Sequence, residues 1–167
     1  RRFFASNSDS FGRMGFFIIN PDRISIASNL DVNVGTRNLI ALRKPKLLQR
    51  AFRGESVFIP PIPSAVPLDR SAKASDKHHP TMFFLAPITK TDGSTVAVIA
   101  QRIDPADEFS RVLQSSRVGE SGESYAFDQH ARLLSESRFD DHLREIGLIN
   151  ADQSGILNIE IRNPGGN

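Results

Sequence analysis

The sequence predicts an α+β fold, an antiparallel sheet flanked by helices. Two observations carry that reading: strand-like runs outnumber helical ones, and neighbouring strands are joined by tight turns. A third bounds its size. With 167 residues, 39% hydrophobic and 24% charged, the chain can build one full core, or one and a half small ones.

Residues 1–13 read as the end of an incoming helix or linker. From Met14 the pattern becomes strand-like. Gly15-Phe16-Phe17-Ile18-Ile19 is a short apolar run, Asn20-Pro21-Asp22 is a turn, and Ile24-Ser25-Ile26-Ala27-Ser28 alternates at period two. Two strands around an Asn-Pro-Asp turn make a hairpin. A polar stretch, 29–38, contains the Gly and Asn residues that permit sharp bends. Residues 45–53 are good helix formers. Leu47, Leu48, Ala51 and Phe52 fall on one apolar face, and Gly54 supplies the stop.

A strand over 55–59 is expected to end at Pro60-Pro61, and 62–80 reads as a long exposed loop. Residues 81–89 and 95–103 are two longer strands around Thr91-Asp92-Gly93-Ser94, since Asp-Gly between apolar runs marks a hairpin. Asp104-Pro105 ends the sheet, and 106–116 reads as a helix with Phe109, Val112 and Leu113 on one face. Part of the pattern then repeats: a strand at 124–128, a turn at Gln129-His130-Ala131, and a partner strand at 132–137. A helix at 140–147 and a last strand at 155–162 complete the order.

Composition excludes several functions. The net charge is only +2, from 21 basic and 19 acidic residues, and the basic residues are scattered, so no nucleic-acid-binding stripe is present. The chain has no cysteine, which rules out thiol nucleophiles, disulfides and cysteine zinc sites. No apolar run approaches the roughly 18–20 residues of a membrane span. The abrupt start at Arg1-Arg2-Phe3-Phe4 and the stop at Pro164-Gly165-Gly166 suit a soluble piece of a membrane protein.

Three segments carry a resemblance. Residues 15–24 followed by Ala27-Ser28-Asn29 resemble the opening hairpin of Cache sensor domains, which are PAS-like. Residues 53–62 resemble the strand after their first short helix. The most specific segment, Gly119-Glu120-Ser121-Gly122-Glu123-Ser124-Tyr125-Ala126-Phe127-Asp128 with residues 133–138, resembles the opening of the second module of a double Cache domain. The resemblance implies an extracytoplasmic (periplasmic) sensor of a bacterial inner-membrane receptor, tethered through segments outside this chain and dimeric in the full receptor. Its output would be a histidine kinase, chemoreceptor or nucleotide cyclase. It also implies one complete membrane-distal module at 14–105, a connecting helix at 106–119, and part of a membrane-proximal module at 120–167.

Catalysis finds little support in the residues. Gly119-Glu120-Ser121-Gly122-Glu123 falls short of a nucleophile elbow, which needs Gly at position 123 and a strand-to-helix turn. His78 and His79 are adjacent and point apart, with only Asp76 nearby, so they read as solvated loop and not as metal ligands. His130 in a turn and His142 in a helix read as surface. Asp107-Glu108 and Asp140-Asp141 read as helix-start residues favoured by the helix dipole. No enzyme activity, metal or cofactor is expected.

A ligand-binding set is expected instead. In the 95–103 strand, Val96, Val98, Ala100 and Arg102 project to one face, so Arg102 extends an apolar row, and Asp104 follows it. A guanidinium at that edge suits a carboxylate through bidentate bonds. The structural alternative pairs Arg102 with Asp104 or Glu55. Amino-acid-binding Cache domains carry an Arg-x-Trp-Tyr-like signature near the first helix and an Asp on the last strand. Here Lys44-Pro45-Lys46-Leu47 and Gln101 or Arg102 stand in those places, and the chain has no tryptophan. The expected site is therefore Arg43, Lys46, Phe58, Phe83, Arg102 and Asp104, around a small anionic ligand such as a carboxylate. The alternative is a structural, dimerising relay of the same fold, its pocket filled by Phe58, Phe83 and Met82.

Overall fold

A computed structural model describes residues 15–64, 79–115, 119 and 122–162. The expected helix end at 1–13, His78, Asp76 and most of the 62–80 loop, and Glu120 and Ser121 of the elbow-like run lie outside the described residues. The chain divides into two units, Arg1–Ile103 and Asp104–Asn167. The boundary coincides with the Asp104-Pro105 break.

The first unit is built on five strands: β1 (Phe16–Ile19), β2 (Ser25–Ser28), β3 (Val57–Pro63), β4 (Pro80–Thr89) and β5 (Thr95–Ile103). Their order is β2-β1-β5-β4-β3, and each neighbouring pair is antiparallel. Two helices, α1 (Leu39–Arg43) and α2 (Pro45–Phe52), lie between β2 and β3 in sequence. The fold is the α+β antiparallel sheet expected from the residues, PAS-like as the resemblance implies.

Each hairpin closes as its turn chemistry dictates. Asn20 accepts from the Ile24 N–H through its side chain at 2.9 Å and from the Arg23 N–H through its carbonyl, also at 2.9 Å. In the second hairpin, Asp92 Oδ1 accepts from the Ser94 N–H at 2.8 Å and the Ser94 hydroxyl at 2.6 Å. α2 begins on Pro45, whose missing N–H is no loss in the first turn. It buries Leu48 and Ala51 and leans Leu47 and Phe52 on the same core. Gly54 ends it with a φ of 96°, a conformation glycine reaches without a Cβ clash.

α1 has no counterpart among the expected elements. Asn38 makes it: its Oδ1 accepts from the Ile40 N–H at 2.9 Å and its amide donates to the Ser25 hydroxyl at 2.9 Å. Both polar side chains are buried, so the cap also fastens the helix to β2. β3 does not stop at Pro60-Pro61. The register shifts between Ile59 and Ile62, so the prolines sit in an irregularity of an edge strand, where a missing N–H costs little.

Register divides the sheet into two faces. Phe17, Ile19, Val57, Ile59, Phe83, Leu85, Val98 and Ala100 point inward and join Leu39, Ile40, Leu48 and Ala51 in one core. Phe83 is fully buried, with its ring centroid 6.0 Å from that of Phe17. Phe58, Phe84, Ile99 and Gln101 point to the opposite face.

The second unit departs furthest from expectation. The strands expected at 124–128, 132–137 and 155–162 form isolated bridges, Phe127–Leu133 and Arg132–Glu160. Ala131 and Leu157 both have positive φ, which interrupts an extended ladder. The Gln129-His130-Ala131 turn does form. Asp128 Oδ1 accepts from the His130 and Arg132 N–H groups at 2.8 and 3.1 Å. Desolvation works against the Asp128 charge, but those N–H groups and the Arg132 guanidinium outweigh it and hold the carboxyl below its usual range.

The helix expected at 106–116 begins as a π-type turn, Pro105–Ser110, and continues as α3 (Arg111–Gln114). α4 (Asp140–Glu145) lies between the two partners of the Arg132–Glu160 bridge in sequence. Its two aspartates differ in role. Asp141 is exposed and pairs with Arg144 at 2.6 Å, whereas Asp140 is buried and accepts from the Gly155 N–H at 2.9 Å. Helix-start electrostatics alone do not account for Asp140.

Candidate functional site in the sheet of the first unit

Polar side chains concentrate at one end of the inward face. Alternation along β5 puts Arg102 in the row of Val98 and Ala100, where it stands opposite Phe83. Its Nε donates to Thr81 Oγ1 at 2.8 Å and its Nη2 to Ser64 Oγ at 2.5 Å. Arg102, Thr81 and Ser64 are 3%, 0% and 1% exposed. A guanidinium taken this far from water incurs a desolvation penalty of several kcal/mol that its hydrogen bonds must offset. Each hydroxyl accepts from the guanidinium and also carries a proton that it can donate.

Of the six residues expected to form the site, the structure brings together Phe83 and Arg102, paired across β4 and β5. Phe58 is on the opposite face, 40% exposed. Arg43 ends α1 and Lys46 lies in the first turn of α2, both exposed. Asp104 belongs to the second unit, where its side chain accepts from the Ala106 N–H at 2.8 Å and caps the turn. The expected pairing of Arg102 with Glu55 is replaced by an Arg50–Glu55 ion pair at 2.7 Å on the surface. Met82 faces the side opposite Phe83, so Phe58, Phe83 and Met82 do not fill one pocket.

Thr81 and Ser64 were absent from the expected set. Thr81 was accessible in principle, since it shares the alternation of Phe83 and Leu85 along β4. Ser64 follows a proline-rich stretch with no readable period, and nothing local marks it.

The opposite face carries an open groove lined by Ser56, Phe58, Phe84, Ala86, Ile99 and Gln101. The Phe58 and Phe84 rings lie 5.3 Å apart between centroids. Phe84 is 51% exposed. Among the described residues, no group of three or more His, Asp or Glu side chains is placed to hold a metal ion. His79, His130 and His142 are all exposed.

No protein-family model matches the chain, and no curated protein sequence matches it. Among solved structures, the sensory box sensor histidine kinase from Vibrio cholerae overlaps with a TM-score of 0.35 at 14% identity, over 62% of this chain and 90% of that one. The Vibrio cholera VqmA–ligand–DNA complex overlaps at 0.43 and 13%, over 79% and 64%. The light-state Aureochrome1 LOV blue-light photoreceptor overlaps at 0.39 and 14%, over 65% and 94%. These similarities are distant, and the α+β, PAS-like fold rests on the strand order and register of the sheet itself.

Proposed function

We propose that this chain is a non-catalytic sensing domain, the extracytoplasmic part of a bacterial membrane receptor, and that it binds a small carboxylate. The observation that supports this reading most is the buried Arg102–Thr81–Ser64 cluster at the end of an apolar sheet face. A buried charge is weak evidence for stability, because apolar replacements often serve as well. An arginine guanidinium at the edge of a core is, however, of the kind that recognises a planar anion. The Cache-like segments at 15–29, 53–62 and 119–138 favour the receptor setting. Among the described residues no helix is long and apolar enough to cross a membrane, so tethering would come from elsewhere in the protein.

A thermal-shift screen of small carboxylates, with Arg102→Met as the control, tests the reading. A ligand at roughly a hundred times its Kd adds about 2.7 kcal/mol of stability. The methionine variant should stay folded and lose that response. A variant that keeps the full response removes Arg102 from the site, and a screen in which no carboxylate shifts the melt removes the carboxylate reading.

The second reading is a dimerising relay without its own ligand. The exposed Phe58–Phe84 pair and its groove favour it, with a second copy of the chain as occupant. Sedimentation of the protein and of Phe84→Asp separates the two: a dimer that the variant dissolves, with no ligand response, supports the relay.

A further inference from the structure

The fold draws together basic residues that lie scattered along the sequence. No Asp or Glu occurs between residues 32 and 54, a stretch that holds Arg37, Arg43, Lys44, Lys46, Arg50 and Arg53. Lys46 and Arg50 are one helical turn apart on α2 and share a face, and Arg53 follows at the C-cap. The Arg23 guanidinium stands 5.1 Å from the Phe52 ring centroid, which adds it to the C-terminal end of α2. Ile24 bridges to Arg37, so Arg37 adjoins Arg23. Arg37, Arg43, Lys46, Arg50 and Arg53 are exposed. Among the described residues, Arg50 alone of these five reaches a carboxylate, Glu55 at 2.7 Å.

The second unit carries the complementary charge. Arg1–Ile103 holds 15 basic and 7 acidic residues, a formal +8, whereas Asp104–Asn167 holds 6 and 12, a formal −6. Three of those acids are exposed at α4. Asp141 and Glu145 are one turn apart on the helix. Asp152 lies in a turn fastened to it, because Arg144 donates to the Gln153 carbonyl through Nε and Nη2 at 3.1 and 3.0 Å. Among the described residues, Asp141 pairs with Arg144, and Glu145 and Asp152 have no cationic partner. Each face also has aliphatic surface beside its charges. Leu42 next to Arg43, and Ile146 and Leu148 beyond Glu145, are 59%, 69% and 61% exposed. Apolar surface within a charged rim is the anatomy of an interface.

We propose that two copies of this chain associate through these faces, the basic side of α1 and α2 in one copy against the acidic side of α4 in the other. Because the opposite charges sit on separate units, the contact can be made twice around a two-fold axis, which closes the pair. Complementary charge of this kind sets the register and speeds encounter, and salt weakens it. A second copy is favoured over an anionic lipid surface because the chain itself supplies both the acids and the aliphatic side chains that the basic face lacks a partner for. This association is separate from the Arg102 site and from the Phe58–Phe84 groove, and depends on neither.

The test is sedimentation of the whole chain at about 0.02 M and about 0.5 M salt, between which the screening length falls several-fold. The parent should be a dimer at low salt and a monomer at high salt. Lys46→Glu with Arg53→Glu reverses the basic face, and Glu145→Lys with Asp152→Lys reverses the acidic one. Each double variant should be monomeric at low salt. Mixed in equal amounts, the two should form a dimer, because the reversed face of each meets the reversed face of the other. Misfolding cannot produce that restoration, and the parent's own salt dependence keeps the test available if a variant misfolds. A parent that stays monomeric at low salt overturns the proposal, as does a dimer that survives high salt, or a pair of folded variants that fail to associate on mixing. A dimer dissolved by Phe84→Asp but by neither reversal moves the contact to the groove and overturns it. Binding of a monomeric parent to phosphatidylglycerol vesicles, lost in Lys46→Glu with Arg53→Glu, assigns the basic face to lipid and overturns it as well.

Discussion

Thr81 and Arg102 meet in a buried hydrogen bond. The threonine hydroxyl is fully buried and accepts the Nε–H of a guanidinium that is itself 3% exposed. Thr81→Val keeps the volume and β-branched shape but removes the acceptor. The expected loss is about 1–3 kcal/mol, the cost of leaving a buried donor without a partner, read from urea denaturation. A variant as stable as the parent would mean that the guanidinium finds another acceptor at no cost. Ser64 offers the same chemistry from beyond β3, and it was invisible locally because a hydroxyl after three prolines has no pattern to sit in. Arg102 itself was legible, since period-two alternation from Val98 and Ala100 places it on the inward face whatever surrounds it.

Elements in this chain are strongest where a side chain closes backbone groups. Asn38 caps α1 and reaches Ser25 on β2, so it joins two elements that are otherwise separated by a bend and a 3-10 turn. Asn38→Ala should cost about 0.5–2 kcal/mol for the cap, and the upper end is expected because the Ser25 hydroxyl loses its buried donor. Equilibrium unfolding measures it, and a loss near zero would show that α1 is held by packing alone. β5 was readable to its exact ends because Asp92-Gly93 and Asp104-Pro105 punctuate it on both sides. In β3 two prolines signal a strand end at 60–61, and only an edge position with an irregular register lets the strand pass through them. The second unit shows the converse. Its alternating runs at 124–137 satisfy the strand pattern, yet positive φ at Ala131 and Leu157 reduces the pairing to bridges.

At the scale of the molecule, the two units have unequal reserves of order. The first has a five-stranded antiparallel sheet over a core containing Phe83, Ile59, Leu48 and Val98, all fully buried. The second buries Leu133, Ile149 and Ile156 beneath isolated bridges and short helical turns. Native-state hydrogen exchange should therefore be slowest at β1, β4 and β5 amides and faster throughout 122–162. Equal protection in both units would contradict this ordering. By itself the sequence determined the α+β class, the two hairpins of the first unit, the helix at Pro45–Phe52 and the face on which Arg102 lies, because these follow from periodicity and turn chemistry within a few residues. Only the tertiary structure decided that Phe58 and Phe83 part to opposite faces of the sheet, and that Asp104 caps a turn and Glu55 pairs with Arg50. It also placed Thr81 and Ser64 around the guanidinium. Those outcomes depend on which strand lies beside which and in what register, a long-range choice that no local pattern encodes.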